Sequence, residues 1–283
     1  MDDHKIVDVS VDGLEHRVYL TRTGGSDWYV EGIDPEPDGD NWIERYDALF
    51  KEALSHLPMR VLVACEESQA VTKEFRKLGH EAFSCDFHDC SGGHPEWHIK
   101  GDCMEAIRGR GWDMIIMHPP CTHLTVAGNR HYARGKHGYH LREKAALFVQ
   151  ELWDLATSVC HRVVMENPVG CLSTMCDLPK PQYIQPYEYG HKARKKTGLW
   201  LHGVEPLRPT ELVDPEIIEY TRADGSKTTF SADYMRGVDR SGKMKASGKR
   251  SKTYDGIARA MAEQWGGYIC QSETAKGVDT HRT

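Results

Sequence analysis

The sequence predicts an α/β protein: a mainly parallel, doubly wound, Rossmann-like sheet preceded by a small N-terminal α+β module. Three observations carry this. The runs Val61-Leu62-Val63-Ala64, Met114-Ile115-Ile116-Met117 and Val163-Val164-Met165 are short and apolar throughout, as strands buried on both faces are. Stretches with apolar residues at helical spacing separate them, so strand and helix alternate. Charge is also divided along the chain. Residues 1–58 hold 14 Asp and Glu against 5 Lys and Arg, a net of −9, so residues 59–283 carry +3 of a total of −6.

The acidic segment reads as a module of its own. Ile6-Val7-Asp8-Val9, His16 to Leu20 and Trp28-Tyr29-Val30 alternate like short strands, and Asp12-Gly13 and Gly24-Gly25 supply turns between them. The segment 34–40 is a loop, and Trp42, Tyr46, Leu49, Phe50 and Leu54 then recur at helical spacing. Pro58 stands near the boundary. The acidity opposes direct contact with DNA phosphates, which leaves an assembly or docking role, through self-association or a protein partner.

Val61 to Ala64 opens the main domain, residues 59–270, as a buried strand. Ala70, Val71, Phe75 and Leu78 mark one face of the helix that follows, and Gly79-His80 ends it. A second strand finishes at Ser84-Cys85-Asp86, a third precedes Trp112, and the fourth runs into Pro119-Pro120-Cys121. Ala145, Phe148, Val149, Leu152, Ala156 and Val159 mark a scaffold helix over 141–159. Residues 271–283 form a tail.

Composition limits the setting. A chain of 283 residues with 39% hydrophobic content can hold one full catalytic domain and a small second one. No run of about 18 apolar residues occurs and Met-Asp-Asp-His has no signal-peptide pattern, so a soluble cytoplasmic protein with no membrane partner is expected. Nine cysteines without framework spacing suit a reducing compartment, where thiols remain free for chemistry.

Two strand ends carry the chemistry. Pro119 and Pro120 remove two backbone donors, so the sheet cannot continue and Cys121 lies at the strand's carboxyl edge, where open α/β sheets bind ligands. The run Val163 to Met165 stops in the same way at Glu166-Asn167-Pro168. A thiol and a carboxylate at two strand ends make a nucleophile and acid pair. Asp86 after the second strand suits ribose hydroxyls, and Gly101-Asp102 lies in a loop that could meet an adenine amine.

In this order the pieces resemble the cytosine-5 DNA methyltransferases, above all the short members often encoded by bacteriophages. Val61 to Glu67 takes the cofactor-loop position, Asp86 that of the ribose acid, Asp102 that of the adenine acid, Cys121 that of the nucleophile and Glu166 that of the catalytic glutamate. The run Arg250 to Ala258 resembles the last family motif, and the likeness covers about residues 59–268. The resemblance implies a methyltransferase sheet and a reaction in which S-adenosyl-L-methionine supplies a methyl group to C5 of a cytosine flipped out of DNA. Cys121, Glu166 and Arg194 become the catalytic residues, and Glu66, Asp86, Asp102 and Pro119 the cofactor contacts; no metal is implied.

The residue types suit that reaction. C5 of cytosine is a poor nucleophile, and thiolate addition at C6 turns the ring into an enamine with density at C5. Glu166 would protonate N3 during addition, with a pKa raised by burial, and Arg194 would orient it and bind O2. No residue suggests itself as the base for the later C5 proton.

Three departures from the family stand out. The loop Cys65 to Gln69 has no glycine, the glutamine-arginine motif survives only around Arg194, and the recognition insert at about 202–249 is short. Thr122 to Leu141 is a polar, basic, glycine-containing loop and is expected to close as a lid over the flipped base. Residues 240–252 hold six Lys and Arg and no acid, a second candidate phosphate contact. Cys85, His88, Cys90, His94, His98 and Cys103 crowd together, but their spacing lacks the paired knuckles of a zinc site. Two other readings stay open: methylation of a cytosine nucleotide or RNA, and a methyltransferase-like protein that binds DNA without turnover.

Overall fold

The computed structural model describes residues 2–23, 28–109, 111–221, 224–231 and 252–266. The described residues fall into two units that part between Pro58 and Met59. In the first, β1 (Asp2–Val11), β2 (Leu14–Thr23) and β3 (Tyr29–Asp34) form an antiparallel meander, followed by α1 (Trp42–Ser55). Asp12 and Gly13 take positive φ (54° and 78°) in the two-residue turn between β1 and β2, the handedness that lets a tight hairpin follow the strands' twist. Val9, Val18, Leu20 and Ile33 bury one face of this sheet with Leu49, Ala53 and Leu57.

The second unit holds one sheet of seven strands: β4 (Arg60–Ala64), β5 (Glu81–Asp86), β6 (His98–Lys100), β7 (Met114–Met117), β8 (Val163–Pro168), β9 (Gln182–Ile184) and β10 (Thr197–His202), in the order β6-β5-β4-β7-β8-β10-β9. The first five in this order run parallel, and β10 runs antiparallel to both its neighbours. This is the mainly parallel, doubly wound, Rossmann-like sheet that the sequence predicts. Helices α2 (Ala70–Lys77), α3 (Cys103–Arg108) and α5 (Tyr139–Val159) cross between strands; α4 (Asn129–Tyr132) and α6 (Leu172–Met175) are single turns, and α7 (Asp255–Met261), the last α-helix among the described residues, runs on into a π-helical turn over Ala262–Gly266.

Burial on both faces explains why the strands read as continuous apolar runs. Val61, Val63, Ile116 and Val164 point into one layer with Val71 and Phe75 of α2 and Ile257 and Met261 of α7. Leu62, Ala64, Ile115, Met117, Val163 and Met165 point into the other, against Ile107 of α3 and Val149, Leu152 and Ala156 of α5. Successive residues thus serve opposite cores, as the period of two requires. The chain leaves β4 toward β5 and later returns to β7 on its other side, so the crevice of this sheet lies outside the carboxyl ends of β4 and β7.

The expected insert at 202–249 contains a two-stranded hairpin, β11 (Ile217–Thr221) and β12 (Lys227–Ser231), outside the main sheet. Most of the basic stretch 240–252 and the tail 271–283 lie outside the described residues.

Candidate active site

At the sheet's switch point, β7 ends with His118-Pro119-Pro120-Cys121 and its parallel neighbour β8 ends with Glu166-Asn167-Pro168. Two ties bring these ends together. The Asn167 Nδ2 donates to the Pro119 carbonyl at 2.9 Å within the core, and His118 Nδ1 lies 3.1 Å from Glu166 Oε2. Pro119 is buried while Cys121 is partly exposed, so the prolines lift the thiol from the core to the rim. The Cys121 carbonyl accepts from the amides of Leu124 (3.0 Å) and Thr125 (3.2 Å), which turns the chain immediately beyond it.

Glu166 departs from expectation in its charge state. Burial, which leaves its side chain 13% exposed, pushes the pKa up, but the hydrogen bond and charge of His118 and the charge of Lys195 outweigh it and hold the carboxyl below its ordinary range. Burial alone was the wrong guide, because two cationic or donor groups accompany it. Lys195, half-buried just before β10, is the cation acting on Glu166, whereas its neighbour Arg194 is exposed and its backbone amide donates to Ser231 Oγ. The antiparallel register of β10 on β8, Leu199 opposite Glu166, carries this basic segment past the carboxylate.

Glu66 holds a structural post. Its carboxylate is buried and accepts from the amides of Val71 (2.7 Å) and Thr72 (3.3 Å) and from Thr72 Oγ1 (2.7 Å), satisfying the open donors at the start of α2. The loop around it gains the shape of a glycine loop without glycine: Cys65 and Gln69 take φ of 58° and 55°. Gln69, fully buried, is pinned by its side chain to both backbone groups of His94 (2.7 and 3.1 Å) and to Ser84 Oγ (3.2 Å). Cys65 Sγ sits 3.5 Å from Cys103 Sγ, which also accepts from the Cys65 amide at 3.3 Å.

Asp86 ends β5 with Oδ1 accepting from the His88 amide (2.9 Å) and in contact with its Nδ1 (2.8 Å). Gly101 donates to the Asp86 carbonyl at 3.0 Å, bringing Asp102 to the same edge, where it caps α3 by accepting from Met104 at 2.9 Å. Phe87, 66% exposed, is an aromatic face at this edge that sequence reasoning missed; its place directly after the acid was the available signal. An acid, a flat apolar ring and a nearby second acid suit a ligand with vicinal hydroxyls and a heterocycle.

The cysteine and histidine cluster does other work. Cys85 and Cys103 are buried beside the half-buried Cys65 that follows β4, His98 contacts Ser84 Oγ and the His88 carbonyl, and His94 stacks on Trp97 at 3.8 Å. Beyond Cys121, the segment expected as a lid is anchored at its base. Arg142 of α5, buried, donates to the carbonyls of His123 (2.7 Å) and Thr125 (3.1 Å) and to Asn129 Oδ1 (2.8 Å). The amides of Val126 and Cys171 cross to Val169 and Leu124, and Gly170 leaves no room for a Cβ against the Leu124 carbonyl. The tip is exposed, with Arg130, His131, Arg134, Lys136 and His137 at its surface.

No family model matches the chain, and no curated protein does. Among solved structures it is similar to monomeric WbdD, with 16% identity over 68% of this chain and 49% of that one and a TM-score of 0.34. It is also similar to WbdD described as a bifunctional kinase-methyltransferase, with 15% identity, 68% and 46% coverage and a TM-score of 0.35. The aligned part spans about half the length of those chains. The fold itself rests on the strand order and pairing: a Rossmann-like α/β sheet with one antiparallel strand near its edge.

Proposed function

We propose that the protein is an S-adenosyl-L-methionine-dependent methyltransferase that methylates C5 of cytosine in DNA through a covalent adduct with Cys121. The observation that carries this reading is the pairing of a rim thiol and a buried carboxylate at the carboxyl ends of two adjacent parallel strands, tied through Asn167 and Pro119. Binding without turnover requires neither group.

Cys121 attacks C6 and Glu166 manages the proton at N3, while Lys195, the cation that acts on Glu166, replaces Arg194 in the charged role beside it. Asp86, Phe87 and Asp102 would hold the adenosyl half of the cofactor, which supplies an electrophilic methyl group when bound. Glu66 shapes the loop from behind by fixing α2. Arg130, Arg134 and Lys136 at the exposed tip suit the phosphates flanking a flipped base, and they favour a polymer over a mononucleotide.

Bisulfite sequencing of plasmid from cells expressing the protein should report 5-methylcytosine that disappears with Cys121→Ala. Unmodified plasmid, with methyl transfer to RNA or to a cytosine nucleotide in vitro, would overturn DNA as the substrate. No transfer to any of the three would overturn the activity.

A further inference from the structure

Three cysteines stand beside three acids of the crevice, and none has a part in the reading above. Cys65 precedes Glu66 after β4, Cys85 precedes Asp86 at the end of β5, and Cys103 follows Asp102 at the start of α3. Cys65 Sγ lies 3.5 Å from Cys103 Sγ, and the Cys65 amide donates to the same Cys103 sulfur at 3.3 Å. A negative charge on Cys103 therefore receives two donors from one neighbour. The hydrogen bonds of Cys65 and Cys85 outweigh burial and hold the Cys103 thiol below its ordinary range. Access divides the pair the other way: Cys65 is half-buried, whereas Cys103 is 3% exposed. The two sulfurs need close by only about 1.5 Å to reach the disulfide length of about 2.05 Å.

We propose that Cys65 and Cys103 form an oxidation site, which a hydroperoxide closes into a reversible disulfide that weakens cofactor binding at the crevice. Cys65 Sγ attacks the outer oxygen of the peroxide as its thiol proton passes to the Cys103 thiolate. The S–O bond forms, the O–O bond breaks, and hydroxide leaves from hydrogen peroxide. Cys103 Sγ then attacks the sulfenic sulfur of Cys65, the S–S bond forms, and the sulfenic oxygen departs as water with the Cys103 proton. Two thiols have given up two electrons and the peroxide has taken them. The new bond ties the loop after β4 to the residue that follows Asp102, so it shifts the acid that caps α3. The effect on binding rests on the S-adenosyl-L-methionine reading; the bond itself does not.

The test treats the full chain with hydrogen peroxide, blocks the remaining thiols and maps tryptic peptides without reduction. Cys65 lies alone in peptide 61–73 and Cys103 alone in peptide 101–108, while Cys85 shares peptide 78–100 with Cys90, so each linkage has its own mass. Peptides 61–73 and 101–108 should appear joined and separate again with dithiothreitol. Calorimetry should find S-adenosylmethionine bound at least about fivefold more weakly by the oxidised protein, with full recovery on reduction. Cys65→Ser should form no such link and keep its affinity through the same treatment. Linkage of 101–108 to 78–100 instead, or no linkage at all, would overturn the site, and a joined pair with unchanged affinity would overturn its effect on binding. If the reduced wild type binds no S-adenosylmethionine, the methyltransferase reading fails, and the peptide map alone then decides whether the two thiols are an oxidation site.

Discussion

Glu166 shows how a single residue's neighbours decide its chemistry. Glu166→Gln retains the shape but cannot pass a proton, so methyl transfer should fall by roughly two to four orders of magnitude while DNA binding persists; wild-type turnover would make it a strand-end scaffold residue. Its charge also bears on stability. The folded carboxyl titrates below the unfolded value of about 4.3, so at acid pH the unfolded chain binds the proton first. The resulting stabilisation is complete above about pH 4.3 and is lost as pH falls through the folded value. Urea unfolding at pH 7 and pH 3 should therefore show a larger acid loss for wild type than for Glu166→Gln, and equal losses would deny the pair its electrostatic role.

At the scale of elements, Arg142 turns one helix into an anchor for the segment after Cys121. Arg142→Leu would leave two carbonyls and the Asn129 amide oxygen without their donor, at a cost of about 2–4 kcal/mol readable in urea unfolding. Arg142→Lys should recover only part, since an ammonium cannot reproduce the fork. A cost within about 0.5 kcal/mol would mean that this base is solvated and free to move. Such an anchor was invisible in the sequence, where Arg142 reads as a polar residue at the start of a helix. The strands at 61–64, 114–117 and 163–165 were legible because burial on both faces demands unbroken apolar runs, and Cys121 and Glu166 were legible because prolines mark where those runs stop. The parts played by Glu66 and Lys195 were not legible, because local sequence does not say which way a side chain turns: Glu66 accepts from the first amides of α2, and Lys195 comes near enough to act on Glu166.

For the whole molecule, strand order brings together residues 45 apart at one crevice and places the basic tip beyond it. If that tip meets DNA, neutralising Arg130, Arg134 and Lys136 together should lower the slope of log affinity against log salt by up to about 2.7, and an unchanged slope would make the tip plain surface. The glycine-free loop has a further consequence for how this fold meets a ligand. Left-handed backbone at a residue with a side chain costs roughly 1–3 kcal/mol, and at Cys65 and Gln69 it is held by buried contacts formed when the chain folds. A glycine loop is supple and gives up its freedom when the ligand arrives, whereas this one has already surrendered it. Calorimetry with S-adenosylmethionine should find a less unfavourable binding entropy for the wild type than for Gln69→Gly. The strain is then an ordering cost moved from the moment of binding to the moment of folding, so that the crevice waits in its receiving shape.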